Sequence, residues 1–130
     1  MPSFAIHTGY HQGRAGISLR GSCLDPADAN CLEQGLALLL TTARTQIWLD
    51  CQQLESLSPL GQRVWLWADN QARAAGVTLY WCGLRPAVLE QLRESGLALL
   101  LKMGPATAYQ GPAELLRNPE ALLALPAPGY

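Results

Sequence analysis

Ile47-Trp48-Leu49-Asp50-Cys51-Gln52-Gln53-Leu54-Glu55-Ser56-Leu57-Ser58-Pro59-Leu60-Gly61-Gln62 runs from an apolar stretch through a polar one into a helix start. Ile47, Trp48 and Leu49 are consecutively apolar, as expected of a strand covered on both faces, and residues 46–51 are predicted to form it. A short loop is expected to follow. Ser58 is a favoured helix N-cap and Pro59 a favoured first helical residue, so a helix is predicted from there to about Ala75. Gly76 stands where a left-handed terminator is wanted. A loop that brings a serine to a helix N-terminus beside an acidic residue can work as a phosphate-sensitive switch. Free backbone N–H groups and the positive end of the helix dipole both favour an anion there.

The elements around this stretch alternate. Residues 4–8 and 15–19 predict two strands, and the turn-prone residues from Gly9 to Gly13 predict a hairpin between them. Asp25 as N-cap and Pro26 after it open a first helix, with Leu32, Leu36 and Leu39 on one apolar face. Residues 77–82 predict another apolar strand. Pro86 starts a third helix that ends near Ser95 and Gly96. A short last strand is expected within 97–103, and a helical turn or two within each of 112–116 and 119–125. Strands alternating with helices imply parallel pairing with right-handed crossovers, and the opening hairpin adds an antiparallel strand. The expected fold class is α/β: a small mixed sheet of four to five strands packed with three to four helices. Residues 1–125 are expected to form a single domain and 126–130 a flexible tail.

With 130 residues, 49% of them hydrophobic and 15% charged, the chain suits a folded core rather than a disordered segment. A formal net charge of −1 leaves no basic footprint for nucleic acid. The apolar runs 36–40 and 97–101 fall far short of the ~20 residues that span a bilayer, so no direct membrane insertion is expected. No basic-then-apolar leader pattern opens the sequence, and a cytoplasmic location is the expectation. Cys23, Cys31, Cys51 and Cys82 form no Cys-x-x-Cys pair, and His7 and His11 are the two histidines, so neither a metal site nor a cofactor is predicted. The histidines belong to the first strand or its turn and are expected at the surface.

Three pieces, in order, resemble the STAS family, the domain of bacterial anti-sigma-factor antagonists that also occurs on sulfate transporters and lipid-transport complexes. Ile17-Ser18-Leu19-Arg20-Gly21-Ser22-Cys23-Leu24-Asp25 is similar to the family's strand and Gly-x-Leu-Asp, with one residue inserted. Ile47-Trp48-Leu49-Asp50, with Gly61 eleven positions beyond Asp50, is similar to its strand, loop and Asp-Ser-Ser-Gly helix start. The third piece runs from Gly76-Val77-Thr78-Leu79-Tyr80-Trp81-Cys82-Gly83-Leu84 through Pro86-Ala87-Val88-Leu89-Glu90-Gln91-Leu92 to Ser95-Gly96-Leu97. The resemblance covers roughly residues 15 to 101.

In the family that loop carries a regulatory phosphorylation by a kinase partner. Matched at Gly61, the acidic position is Ser58 and the two hydroxyl positions are Pro59 and Leu60. Neither Pro59 nor Leu60 can be phosphorylated. Ser58, one place earlier, is the remaining phosphorylation candidate, with helix capping as its structural role. The resemblance therefore implies a non-catalytic protein-binding domain with an altered switch. Constitutive docking onto a regulatory protein is the first expectation, the partner being an anti-sigma factor of the kinase type. A structural accessory subunit of a lipid ABC-type transporter is the alternative. A homodimer is compatible with low charge and a Trp-bearing face.

Projected at ~100° per residue, the second helix puts Leu60, Val64, Trp67, Ala68 and Ala75 on the sheet, with Gln71 an ill fit among them. Gln62, Asp69 and Arg73 are then solvated, Leu66 lies on that far face and Trp65 at its margin. Ser58, Pro59, Leu60, Gly61, Trp65 and Leu66 are the candidate partner-binding residues. Trp65 and Leu66 are either isolated exposed apolar residues or part of an interface, where tryptophan is enriched. Asp50, ending its strand beside the loop, either orients a partner group or bonds nearby backbone. A thiol enzyme using Cys51 or Cys82 at the strand ends is the reading from a different class, set against buried, inert cysteines.

Overall fold

The computed structural model describes residues 4–43 and 45–116. The predicted turn at 119–125 and the tail at 126–130 lie outside the described residues. The chain opens with a hairpin, β1 (Phe4–His11) and β2 (Arg14–Cys23), joined by Gln12 and Gly13 alone. Both turn residues have positive φ, 53° and 80°, as in the two-residue turn whose twist matches the flanking strands. Gly9 to His11, expected in the loop, therefore extend β1.

From β2 onward strands and helices alternate: α1 (Pro26–Thr42), β3 (Gln46–Leu57), α2 (Pro59–Ala74), β4 (Thr78–Cys82), α3 (Pro86–Ser95) and β5 (Lys102–Gly104). The sheet order is β1-β2-β3-β4-β5, antiparallel only at β1–β2. Consecutive parallel strands linked by right-handed crossovers place the three helices on one face. A short 3-10 turn, Leu97–Leu99, precedes a three-residue β5, so the short strand expected within 97–103 begins at the end of that segment. Two further 3-10 turns follow at Ala106–Ala108 and Ala113–Leu116.

Local signals account for the helix ends. Asp25 caps α1 by accepting from the Asp28 N–H, and Asp28 returns the bond to the Asp25 N–H, a capping box that adds to the Asp25–Pro26 signal. Leu32, Leu36 and Leu39 are buried, as their spacing predicts. Gly76 and Gly96 take left-handed conformations just beyond α2 and α3.

Strand β3 is longer than expected. It continues to Leu57, pairing with the end of β2 through Arg20↔Gln53, Gly21↔Leu54, Ser22↔Ser56 and Cys23↔Leu57, across two register shifts. Each shift leaves an extra residue on β3, which breaks the period of two, so the polar run looks like a loop in sequence. There is no loop between Asp50 and Ser58, and Asp50 lies within the strand rather than at its end.

The sheet has two unlike faces. Ile17, Leu49 and Trp81, in register with one another, face the helices. Gly16, Trp48 and Tyr80 face the other way, as do Ser18, Asp50 and Cys82. That second face is covered by the chain from Pro105 to Leu116. A Cβ on Gly16 would stand 2.8 Å from Pro112 Cδ and 2.8 Å from the Tyr109 hydroxyl, so only glycine lets this strap approach.

Candidate functional site

The N-terminus of α2 follows β3 directly. The Ser58 N–H donates to the Cys23 carbonyl at 2.8 Å, tying the corner to the end of β2. The Ser58 hydroxyl oxygen accepts from the Gly61 N–H at 3.3 Å, and Gln62 Nε2 donates to the Leu57 carbonyl at 3.3 Å. Pro59 occupies the first helical position, where its missing N–H costs nothing. Pro59 is exposed, and Leu60 keeps 38% of its surface in solvent. Gly61 is buried instead. A Cβ there would stand 2.6 Å from Leu57 Cδ1 and 3.0 Å from Cys23 Sγ, so the glycine serves the close approach of the helix to the sheet.

The buried stripe of α2 is Gly61, Val64, Trp65, Ala68 and Ala72, joined by Asp69. The helix is thus rotated relative to the expectation that set Leu60, Trp67 and Ala75 against the sheet. Trp65 is fully buried, its ring stacked on Trp81 with centroids 4.0 Å apart. It belongs to the core and is not available as a partner-binding residue. Of the two tryptophans of α2, the one that stacks on Trp81 takes the buried stripe and Trp67 is left half-buried, a choice that a projection treating all apolar residues alike does not make. The same rotation resolves Gln71, which is exposed, and buries Asp69, which pairs with Arg73.

Ser58, Pro59, Leu60 and Leu66 therefore reach the surface, while Gly61 and Trp65 do not. Pro59 and Leu66 share a groove of about 330 Å³ between α2 and the end of α3, completed by Gln62, Arg63, Leu97 and Leu100. Sequence reasoning missed its second wall. The signal was the run Leu97-Ala98-Leu99-Leu100-Leu101, too rich in leucine for a short edge strand. The 3-10 turn buries Leu97 but leaves Leu99 90% and Leu100 51% exposed.

The free length of β3 beyond β4 is held by side chains. Arg85 Nε donates to the Gln52 carbonyl at 2.8 Å. Gln91 accepts from the Leu57 N–H at 2.9 Å through Oε1 and donates to the Ser56 hydroxyl at 3.1 Å through Nε2. Both residues anchor α3 beside the corner, and nothing in their sequence pattern marks that role.

Asp50 is 1% exposed and faces the strap side. Its carboxyl accepts from the Ser18 hydroxyl at 2.9 Å, from Gln52 Nε2 at 3.1 Å and from the Gln52 N–H at 3.3 Å. Arg20 Nε donates to the Ser18 oxygen at 3.1 Å, and an Arg20 terminal nitrogen donates to the Leu115 carbonyl at 2.9 Å. Asp50 is thus a buried structural hub, remote from solvent.

The cysteines lack the setting of a nucleophile. Burial, then the nearby Asp50 carboxyl, pushes the Cys82 thiol up to about 11. Complete burial, then Asp50, raises Cys51 as well. Burial, then Asp28 and Asp25, takes Cys23 up to about 12. All three hold their protons at neutral pH, the opposite of an activated thiol. His7 and His11 lie exposed on edge strand β1, with no cysteine opposite either of them in the β2 register. Among the described residues no group of three metal-ligating side chains converges, and no helix is long and apolar enough to cross a membrane.

The family model described as "Mlab, STAS domain" matches residues 6–102. Among solved structures the chain is similar to an anti-sigma factor antagonist from Mycobacterium paratuberculosis, at 18% identity over 88% of this chain and 92% of that one, with a TM-score of 0.65. A putative anti-sigma factor antagonist from Thermotoga maritima aligns at 14% identity over 76% of this chain and 85% of that one, with a TM-score of 0.63. The Bacillus cell fate determinant SpoIIAA in its phosphorylated form aligns at 18% identity over 78% and 90%, with a TM-score of 0.56. At these identities the likeness shows the fold. Among curated proteins none matches the sequence.

Proposed function

The chain belongs to the STAS domain family, and we propose that it is a non-catalytic docking module that holds a protein partner constitutively, without a phosphorylation switch. The first turn of α2 carries this reading. Its one hydroxyl, on Ser58, serves as the cap for the Gly61 N–H. The next two residues offer a proline ring and a half-exposed leucine in place of hydroxyl groups. A phosphate would bring close to two negative charges to a corner whose adjoining groove is largely apolar. An apolar contact surface built from Pro59, Leu60 and Leu66 suits a partner that stays bound. The protonated, buried thiols argue against the thiol-enzyme reading.

Two kinds of partner fit: a regulatory protein such as a kinase-type anti-sigma factor, and the ATPase of a lipid transporter. In the second, the domain is a fixed accessory subunit. Both readings share the same test. The tagged chain, purified from its own cells, is expected to show no phosphate by intact-mass measurement. It should carry a co-purifying partner that Leu60→Asp releases. Mass spectrometry of that partner separates transporter from anti-sigma factor. Stoichiometric phosphate on Ser58, or retention of the partner by the Leu60→Asp variant, overturns constitutive docking through this corner.

A further inference from the structure

We infer that the outer edge of β1 is the interface of a symmetric homodimer, in which two copies pair this strand antiparallel and join their sheets into one. The inference concerns a different surface from the α2 corner and does not rest on the docking reading.

Strand β1 is eight residues long, and among the described residues β2 is its one pairing partner in the sheet. The tight turn at Gln12 and Gly13 makes His11 and Arg14 the closing pair, which exchanges hydrogen bonds with each other. Alternation then directs the backbone groups of Ala5, His7, Gly9 and His11 toward β2. The N–H and C=O groups of Phe4, Ile6, Thr8 and Tyr10 point outward.

Natural edge strands are guarded by shortness, charge, proline or bulges. The opposite edge is guarded: β5 has three residues, begins with Lys102 and is followed by Pro105. Phe4-Ala5-Ile6-His7-Thr8-Gly9-Tyr10-His11 contains no lysine, arginine, aspartate, glutamate or proline, and its pairing with β2 runs without a bulge. Such an edge is a template for another strand.

A second copy fits the template in a defined register. With His7 on the two-fold axis, Phe4 of one copy stands opposite Tyr10 of the other, and Ile6 opposite Thr8. Every outward N–H and C=O of the four residues then meets a partner. Shifting the axis to Ile6 or to Thr8 leaves some of these groups unpaired. The same register sets two Phe–Tyr cross-strand pairs on the helix side of the sheet and, with no lysine, arginine, aspartate or glutamate in the strand, brings only the two His7 side chains face to face at the axis. Apolar surface continues above the strand. Gly35 of α1 packs on Ile6. Leu38, which helical spacing puts on the side of Gly35 away from Leu32, Leu36 and Leu39, is 61% exposed. The Trp65 face, buried as it is, offers no such route to a dimer.

Sedimentation equilibrium of the full chain across a wide concentration range is the test. The wild type is expected to reach twice the monomer mass. Thr8→Pro removes an outward N–H while leaving every bond to β2 in place, a position where a strand tolerates proline. It should weaken association at least tenfold with an unchanged circular dichroism spectrum. His7→Cys places two thiols opposite each other at a non-hydrogen-bonded pair, within disulfide reach. It should cross-link under mild oxidation, well beyond the wild type with its exposed Cys31, whereas Ala5→Cys, which faces Gly9 in this register, should not. A monomeric wild type at all concentrations overturns the inference. So does a dimer unaffected by Thr8→Pro, or cross-linking of His7→Cys no greater than that of Ala5→Cys. Should Thr8→Pro fail to fold, the two cysteine variants decide.

Discussion

On one side of the sheet, Ile17, Leu49 and Trp81 meet a helical layer that brings Leu32, Leu36 and Trp65. On the other, Ser18 and Asp50 lie beneath a strap without regular helices, held by Arg14 to the Gln110 carbonyl at 3.0 Å and by Arg20 to the Leu115 carbonyl at 2.9 Å. Both sides are buried, but by different forces. The helix side is stabilised by apolar area, which is non-directional and tolerates repacking. The strap side has apolar contacts of its own, with Trp48 stacked on Tyr80, but it also buries the polar cluster around Ser18 and Asp50, where losing a partner is costly because an unsatisfied buried group costs more than a satisfied one contributes. Tyr109 shows the requirement: burial, then Asp50 and Glu114, raises its phenol above the ordinary value, so it remains a donor and bonds the Pro112 carbonyl at 2.9 Å.

The largest expected effect lies on the helix side. Trp65→Ala deletes a fully buried ring and its stacking on Trp81, and should destabilise the protein by about 3–5 kcal/mol in urea unfolding. Trp65→Phe should cost much less, because it keeps an aromatic ring and removes an indole N–H that has no partner among the described residues. A loss below about 1 kcal/mol for Trp65→Ala would break the comparison, since apolar area could not then be what holds that side.

Neighbouring residues on opposite faces sharpen it. Ile17→Val trims a buried methylene under the helices and should cost about 0.5–1.5 kcal/mol. Ser18→Ala likewise removes a single heavy atom, yet it takes a donor from Asp50 and an acceptor from Arg20. Its expected cost is about 1–3 kcal/mol. Urea unfolding of the two variants side by side checks the order, and Ile17→Val costing more than Ser18→Ala would mean that the strap side is not governed by its polar contacts.

The same division explains what was legible in the sequence. The helix side follows from patterns: leucines at helical spacing in α1, consecutive apolar residues in β3, Ser-Pro and Asp-Pro at helix starts. The strap side follows from none, because Ser18, Arg20 and Asp50 are brought together by strand register, and the strap's 3-10 turns have no period of their own. Gly16 admits the strap, but in sequence it is one more glycine in a strand. The polar end of β3 was hidden for a related reason: bulges cancel the alternation that would have marked it, and its free edge is satisfied by Arg85 and Gln91 from far along the chain. At the candidate site the capping pair Ser58–Pro59 was legible, whereas Leu60, projected onto the sheet by its spacing, is brought to the surface by the rotation of α2. The fate of Trp65 was not legible, because choosing between two apolar stripes on one helix depends on where Trp81 stands.

Ser58 offers the smallest effect and the finest distinction, since Ser18 and Ser58 are both serines whose hydroxyls bond within the fold. Ser18 is wholly buried, whereas Ser58 is half-buried and water can replace its bond to the Gly61 N–H. If burial rather than polarity sets the cost, Ser58→Ala should lose only about 1 kcal/mol, the usual worth of a serine cap, seen as a small shift in the unfolding midpoint. Ser58→Asp should recover that loss, because aspartate caps as well as serine and its charge suits the helix N-terminus. That variant also carries the charge a phosphate would bring. With constitutive docking, Ser58→Asp keeps both stability and partner. With a phosphorylation switch at this residue, it keeps stability and releases the partner, so measuring the two together on one variant separates a cap from a switch.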